Sequence, residues 1–400
     1  MKALVITVGT GIGKNKTANE NLAKALSFSV TQHNPDTAYF IASKESQQTV
    51  QQIIKQTQIK KYEIITLENP DDTQIIYETI EPKFKQITQT YHNVVVDYTS
   101  GTKAMTAAIA ILGTTYEVAA LSYVTGKREG GIVKPGTEQL KIIKPYFATT
   151  ERKQAIATHL FNKNQFNAAI TIINEIEKTT TDPTITNKTK TLKELAKAYA
   201  EWDKFNHEKA FTIIRKIKMP KLSLNKKFLG QLLNSKTPEP YYIADLLNNA
   251  KRRGTEEQKY DDATARLYRT IELIGQYQLK NKYNIETSAV NPNQLPEKLK
   301  QEWNISQTNQ PIKIALQKAY ELLAAKDDPL GKKFNNDNQL KNLLNKRNTS
   351  ILAHNLIPIE KQTYTQLYKK TTEYAQAVLP NLPALQKEAK FIKITKTTTL

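Results

Sequence analysis

Residues 94–103, Val-Val-Val-Asp-Tyr-Thr-Ser-Gly-Thr-Lys, constrain this chain more than any other stretch. A β-branched run reads as a buried strand that drives straight into a polar turn, and Ala104-Met-Thr-Ala-Ala108 then opens a helix. Such a junction gathers free backbone N–H groups, the hydroxyls of Thr99, Ser100 and Thr102, and the Lys103 ammonium at one spot, which is a place to hold phosphate. The N-terminus repeats the design: Ala3 to Val8 reads as a strand, and Gly9-Thr-Gly-Ile-Gly-Lys14 follows before a helical pattern begins near Thr17. The candidate ligand contacts are therefore Gly9, Thr10, Gly11 and Lys14 from the first junction, with Asp97, Thr99, Ser100, Gly101, Thr102 and Lys103 from the second. Asp97 either touches the ligand or caps the turn by accepting its N–H groups. The glycine loop fits neither usual nucleotide fingerprint. A dinucleotide loop needs its third glycine one position later, and a P-loop needs Ser or Thr where Asn15 follows Lys14.

Up to about residue 148 the pattern alternates between strand and helix. Strands are expected at Ala3 to Thr7, Ala38 to Ala42, Tyr62 to Leu67, Val94 to Tyr98, Val118 to Val124 and Leu140 to Ile143. The alternation predicts a mostly parallel sheet with helices on both faces, whose ligands sit at the carboxyl ends of the strands. Past residue 150 helical periodicity takes over. Arg152 to Lys178 and Thr189 to Lys218 read as long helices sharing a loose likeness, Phe166-Asn-Ala-Ala-Ile-Thr-Ile-Ile against His207-Glu-Lys-Ala-Phe-Thr-Ile-Ile. A turn-rich link is expected over Pro220 to Pro240, and further helices over Tyr241 to Lys280, Pro311 to Lys326, Asn338 to Leu356 and Glu360 to Ala377. The expected fold class is thus α/β plus all-α, in three parts: 1–148, a connecting region 149–240, and a helical domain 241–400.

Composition narrows the chemistry. No cysteine is present, which removes disulfides, thiol nucleophiles and cysteine zinc sites. No apolar run approaches membrane-spanning length and Met1-Lys-Ala-Leu-Val-Ile reads as a first strand, so a cytoplasmic protein with no membrane partner is expected. The formal charge is +20, of which residues 1–150 carry only +3 (16 basic against 13 acidic), so a polyanion would be met by the C-terminal part.

In that basic part stands Arg347-Asn-Thr-Ser-Ile-Leu-Ala-His354. On a continuous helix Arg347 and His354 would share one face about 10 Å apart along the axis. Arg152 and His159 show the same spacing, so spacing alone does not identify a site. Histidine suits acid or base work near neutral pH, arginine suits charge building on a phosphorane, and Asn348 would orient the phosphate or the histidine. RNA carries its own nucleophile in the 2′-hydroxyl, so these groups would suffice without a metal. Elsewhere His33 reads as a cationic ring at a helix end, His207 as a surface residue, and Tyr260, Tyr268 and Tyr277 as helix packing.

The Asp97-to-Lys103 junction in a Rossmann-like domain resembles the CARF sensor domains of type III CRISPR systems, and Arg347-Asn348 to His354 resembles the catalytic signature of HEPN ribonucleases. Tyr260-Asp-Asp-Ala-Thr-Ala-Arg-Leu-Tyr-Arg269 is similar to the opening helix of that effector domain. The resemblance implies a homodimeric endoribonuclease of single-stranded RNA with Arg347, Asn348 and His354 as catalytic residues and no metal or other cofactor. It implies a cyclic oligoadenylate activator, with cyclic tetra-adenylate the expected ring, a 2′,3′-cyclic phosphate product, and slow cleavage of the activator by some CARF domains. Two other readings stay open. A CARF-type regulator that binds nucleic acid without cutting it would show a recognition-helix module, and a Rossmann-type nucleotide-dependent enzyme would need the glycine fingerprint that is missing here.

Overall fold

The computed structural model describes residues 1–11, 16–129, 132–180, 183–305 and 310–395. It divides into two compact units, one of residues 1–154 with 178–181 and one of residues 155–177 with 182–400.

In the first unit, strands β1 (Lys2–Val8), β2 (Thr37–Ser43), β3 (Tyr62–Leu67), β4 (Asn93–Asp97) and β5 (Ala120–Thr125) alternate with helices α1 (Lys16–His33), α2 (Gln47–Thr57), α3 (Thr73–Thr90) and α4 (Lys103–Thr115). A small hairpin, β6 (Arg128–Glu129) and β7 (Ile132–Val133), precedes the edge strand β8 (Gln139–Ile143). The sheet order is β3-β2-β1-β4-β5-β8, parallel except for β8. Alternate residues of the central strands serve opposite layers, as the two-residue pleat requires. Ala3, Val5, Val94 and Val96 pack with Ile80, Phe84 and Leu112 of α3 and α4, whereas Leu4, Ile6 and Val95 pack with Leu26, Val30 and Ile53 of α1 and α2. The chain order reverses between β1 and β4, where ligands of such sheets bind.

The second unit is helical around one core that runs from Ala157 to Ile394. Its helices are α5 (Tyr146–Asn162) from residue 155 on, α6 (Phe166–Thr179) up to residue 177, α7 (Pro183–Asp203), α8 (His207–Ile214), α9 (Ser223–Asn234), α10 (Glu239–Lys251), α11 (Tyr260–Tyr283), α12 (Glu297–Glu302), α13 (Leu316–Ala325), α14 (Pro329–Asn336), α15 (Asn338–Asn348), α16 (Lys361–Val378) and α17 (Leu382–Glu388). Four expectations are corrected. The two long helices are each broken, at Asn164 and at Phe205, both in left-handed conformation. Each break is a Schellman closure, in which Gln165 N–H donates to Leu160 O and Asn206 N–H to Glu201 O, both at 2.9 Å. The loosely similar segments are the second helices of two helix pairs. Tyr241 to Lys280 is interrupted by a π turn over Arg252–Glu256, and most of the expected link after Pro220 is α9. Finally, α15 stops at Asn348, eight residues short of the expected end.

Gly331 fixes the crossing of α13 and α14, because a Cβ there would lie 2.6 Å from the backbone carbonyl carbon of Leu323. Gly331→Ala is expected to cost about 1–3 kcal/mol of stability, as overpacking does, measured as a lowered urea midpoint with an unchanged slope. Among the described residues no helix is long and apolar enough to cross a membrane.

Candidate ligand cleft and candidate nuclease site

A cavity of about 420 Å³ opens at the carboxyl ends of β1 and β4, within the size range of small-molecule sites. Gly9, Thr10, Gly11, Thr99, Ser100, Gly101 and Thr102 line it, so both sequence junctions do converge. Gly9 permits the convergence: a Cβ there would lie 2.9 Å from Ser100 Oγ and 3.0 Å from Gly101 N. Gly101, at φ +117°, takes a backbone conformation that other residues rarely adopt. Thr7 Oγ1 donates to Ser100 O, Gly9 N–H donates to Ser100 Oγ at 3.0 Å, and Val124 N–H donates to Thr99 Oγ1 at 2.8 Å. Ser100 and Thr99 thus use acceptor lone pairs on the protein and keep their hydroxyl protons for a ligand. Thr102 keeps none, since its hydroxyl donates to Pro70 O and caps α4 by accepting from Met105 N–H at 3.1 Å. Lys103 and Ala104 are the first two residues of α4, where backbone N–H groups have no intrahelical acceptor.

Two expected ligand residues stand elsewhere. Asp97 is fully buried beneath the turn, accepting Thr99 N–H at 2.9 Å, Ser29 Oγ–H at 2.6 Å and Ser122 Oγ–H at 2.9 Å, so it caps rather than faces the cleft. Lys103 is exposed at the first position of α4 and does not line the cavity. Lys14 lies outside the described residues.

Arg347 and Asn348 close α15, with Arg347 Nη1–H donating to Asn348 Oδ1 at 3.2 Å. The guanidinium lies over the Tyr268 ring at 4.3 Å, and its buried Nε has no hydrogen-bond partner. Helix α15 ends here, where the Thr349 side chain competes for the backbone: Thr349 Oγ1 donates to Lys346 O at 3.0 Å. The chain then turns back, Ser350 N–H donating to Arg347 O at 3.0 Å and His354 N–H to Asn348 O at 3.2 Å. Arg347 and His354 therefore do not share a helix face. Instead a tight loop ties the backbone of His354 to Asn348 and leaves the imidazole exposed. Asp261, in the first turn of α11, pins the far end of the loop by accepting Ile359 N–H with both oxygens at 3.1 Å.

Family models match two consecutive stretches: the Csm6 6H domain over residues 147–237 and the Csm6 HEPN domain over residues 231–378. The chain belongs to the Csm6 family of type III CRISPR CARF–HEPN proteins. Its fold resembles that of Enterococcus italicus Csm6 bound to cyclic hexa-2′-fluoro-hexa-dAMP, with a TM-score of 0.63 at 16% identity over 97% of this chain and 98% of that one. Can2 from Sulfobacillus thermosulfidooxidans in complex with cyclic tetra-adenylate aligns with 44% of this chain and 50% of its own, at 15% identity and a TM-score of 0.25. No curated protein matches the chain.

The Csm6 HEPN match contains Arg347, Asn348, His354 and the α11 segment 260–269. Sequence reading missed three residues that the Csm6 fold brings to these places. Arg128, on the β6–β7 hairpin, lines the cleft, as does Ser43 at the end of β2. Tyr268 is the third: it packs against the core, as periodicity predicts, and also carries Arg347. Two histidines are also corrected: His33 is buried against Ser122, and His207 is buried with its Nε2 2.8 Å from Asp245 Oδ2.

Proposed function

We propose that this protein is a metal-independent endoribonuclease of single-stranded RNA in antiviral defence, acting in the cytoplasm and switched on by cyclic oligoadenylate. The observation that carries the reading is the Arg347-Asn348 helix end, stacked on Tyr268 and joined through a short loop to an exposed His354, within the Csm6 HEPN match.

In the proposed reaction the RNA 2′-oxygen attacks the adjacent phosphorus, the bond from phosphorus to the 5′-oxygen breaks, and the 2′ proton is removed as one is supplied to the leaving 5′-oxygen. The products are a 2′,3′-cyclic phosphate and a 5′-hydroxyl. His354 moves the proton and Arg347 stabilises the charge on the phosphorane oxygens, with Asn348 and Tyr268 orienting the guanidinium. The activator would lie in the cleft with its phosphates against the α4 start, Arg128 and the Thr99 and Ser100 hydroxyls, and with a base against Leu22, Met105 and Val133. A ring of several nucleotides exceeds one such cleft, so two copies related by a two-fold axis would share it. A hydroxyl-rich wall also suits slow cleavage of the ring at its own 2′-oxygen.

The deciding experiment incubates labelled RNA with the protein in EDTA, with and without cyclic tetra- or hexa-adenylate. The tetra-adenylate expected from the resemblance is compared with a ring of six nucleotides, the size of the E. italicus neighbour's ligand. Ring-dependent cleavage in EDTA is expected, and a protein that stays inactive with both rings would overturn the reading. Arg128→Ala should weaken ring binding by about tenfold or more, as loss of a charge-assisted hydrogen bond does. Lys103→Ala, outside the cavity, should cost less; calorimetry ranks the two.

A further inference from the structure

Beneath the ligand turn lies a buried polar chain that no step above uses. His33 ends α1, Ser122 sits in β5 and Asp97 ends β4; all are buried, and Ser29 of α1 joins them. Proton counting fixes the direction of each bond. An ionised carboxylate only accepts, and each serine hydroxyl has one proton to give. Ser29 and Ser122 both spend theirs on Asp97 Oδ2, at 2.6 and 2.9 Å. At its 2.9 Å contact with His33 Nε2, Ser122 must therefore accept, which places the imidazole proton on Nε2. Burial lowers the pKa of His33, Lys2 lowers it further and Asp97 opposes both, so the ring is neutral at pH 7 and still a donor. The chain ends at the cleft: Asp97 Oδ1 accepts Thr99 N–H at 2.9 Å, and Thr99 lines the cavity.

We infer that His33 and Ser122 are positioning residues for the ligand turn, acting through Asp97. Burying a carboxylate is costly unless donors converge on it, and an apolar residue would brace the sheet more cheaply. What an apolar residue cannot do is hold an N–H in a set direction. Asp97 does so for Thr99, the first residue of the turn, and its own orientation is set from the opposite side by Ser29 and by the His33-to-Ser122 link. Cutting that link leaves Ser122 or His33 with an unpaired polar atom, weakens the hold on the carboxylate, which Ser29 then keeps from that side, and loosens the Thr99–Ser100 wall.

The ligand part of this inference rests on reading the cleft as the activator site, so the test has two arms. In the free protein, hydrogen exchange at the Thr99 amide should speed up about tenfold in Ser122→Ala and in His33→Leu, and stay near wild type in His33→Gln, whose amide can donate where Nε2–H does. In calorimetry with cyclic tetra- and hexa-adenylate, the same two variants should bind about tenfold more weakly at temperatures well below melting. The Ser122→Ala/His33→Leu double variant should be no weaker than the weaker single, because both cut one chain. Should His33→Leu fail to fold, Ser122→Ala carries the test, since it removes a single oxygen. Wild-type exchange at Thr99 in Ser122→Ala overturns the inference whether or not a ring binds. If wild type binds neither ring, the activator reading falls and the exchange arm alone judges the positioning.

Discussion

His354→Ala protein is expected to cut single-stranded RNA about 10²–10⁴-fold more slowly than wild type at saturating activator, the range over which a positioned acid or base contributes. Stability and ring binding should not change, because the imidazole is exposed and only the backbone of His354 helps to close the loop, through its N–H to Asn348 O. Arg347→Ala should be as damaging, and Arg347→Lys should not rescue it. Lysine keeps the charge but loses both the planar stack over Tyr268 and the Nη1–H that holds Asn348 Oδ1. His159→Ala is the control: His159 has the same spacing from an arginine but sits exposed on α5, and its loss should leave cleavage intact. Gel assays at several RNA concentrations separate kcat from KM. An unchanged kcat in His354→Ala would remove this residue from the mechanism.

How far the sequence reaches is clearest at the two sites. The parallel sheet and the pairing of its two polar junctions were legible because β-branched runs, a Gly-Thr-Gly turn and a Thr-Ser-Gly-Thr turn are local signals. The helix breaks in the second unit were not. Neither turn holds glycine or proline; Asn164 gave a weak left-handed signal and Phe205, which packs against the core, gave none. The same limit misplaced His354. Periodicity ran on through Ile351 and Leu352, whereas the Asn348-Thr349-Ser350 run, which competes with the helix backbone, was the readable stop. Asp97, His33 and Ser122 show a deeper limit, since residues 33, 97 and 122 meet only once the sheet order is known. The resemblance supplied what spacing could not, separating Arg347 and His354 from the equally spaced Arg152 and His159.

A Leu356→Asp/Ile351→Asp variant is expected to be a monomer with RNase activity reduced by about 10²-fold, the cost of losing alignment at a reacting centre. The loop that carries His354 also carries Ile351, Leu352, Leu356 and Ile357, which are 55, 49, 81 and 57% exposed. Single exposed apolar residues are ordinary, but four within seven residues beside His354 form a patch of the kind that marks an interface. The proposed occupant is a second copy of this chain. A two-fold axis beside the loop would lay each patch on its equivalent and bring two Arg347 and His354 pairs together, giving one RNA strand a site that a single exposed imidazole does not make. Charged replacements on such an axis meet their own copies, so the repulsion is doubled while the isolated chain loses no core contact. Analytical ultracentrifugation and cleavage assays on one preparation check both halves of the expectation. A monomeric variant that cuts RNA at the wild-type rate would show that the site is complete within one chain.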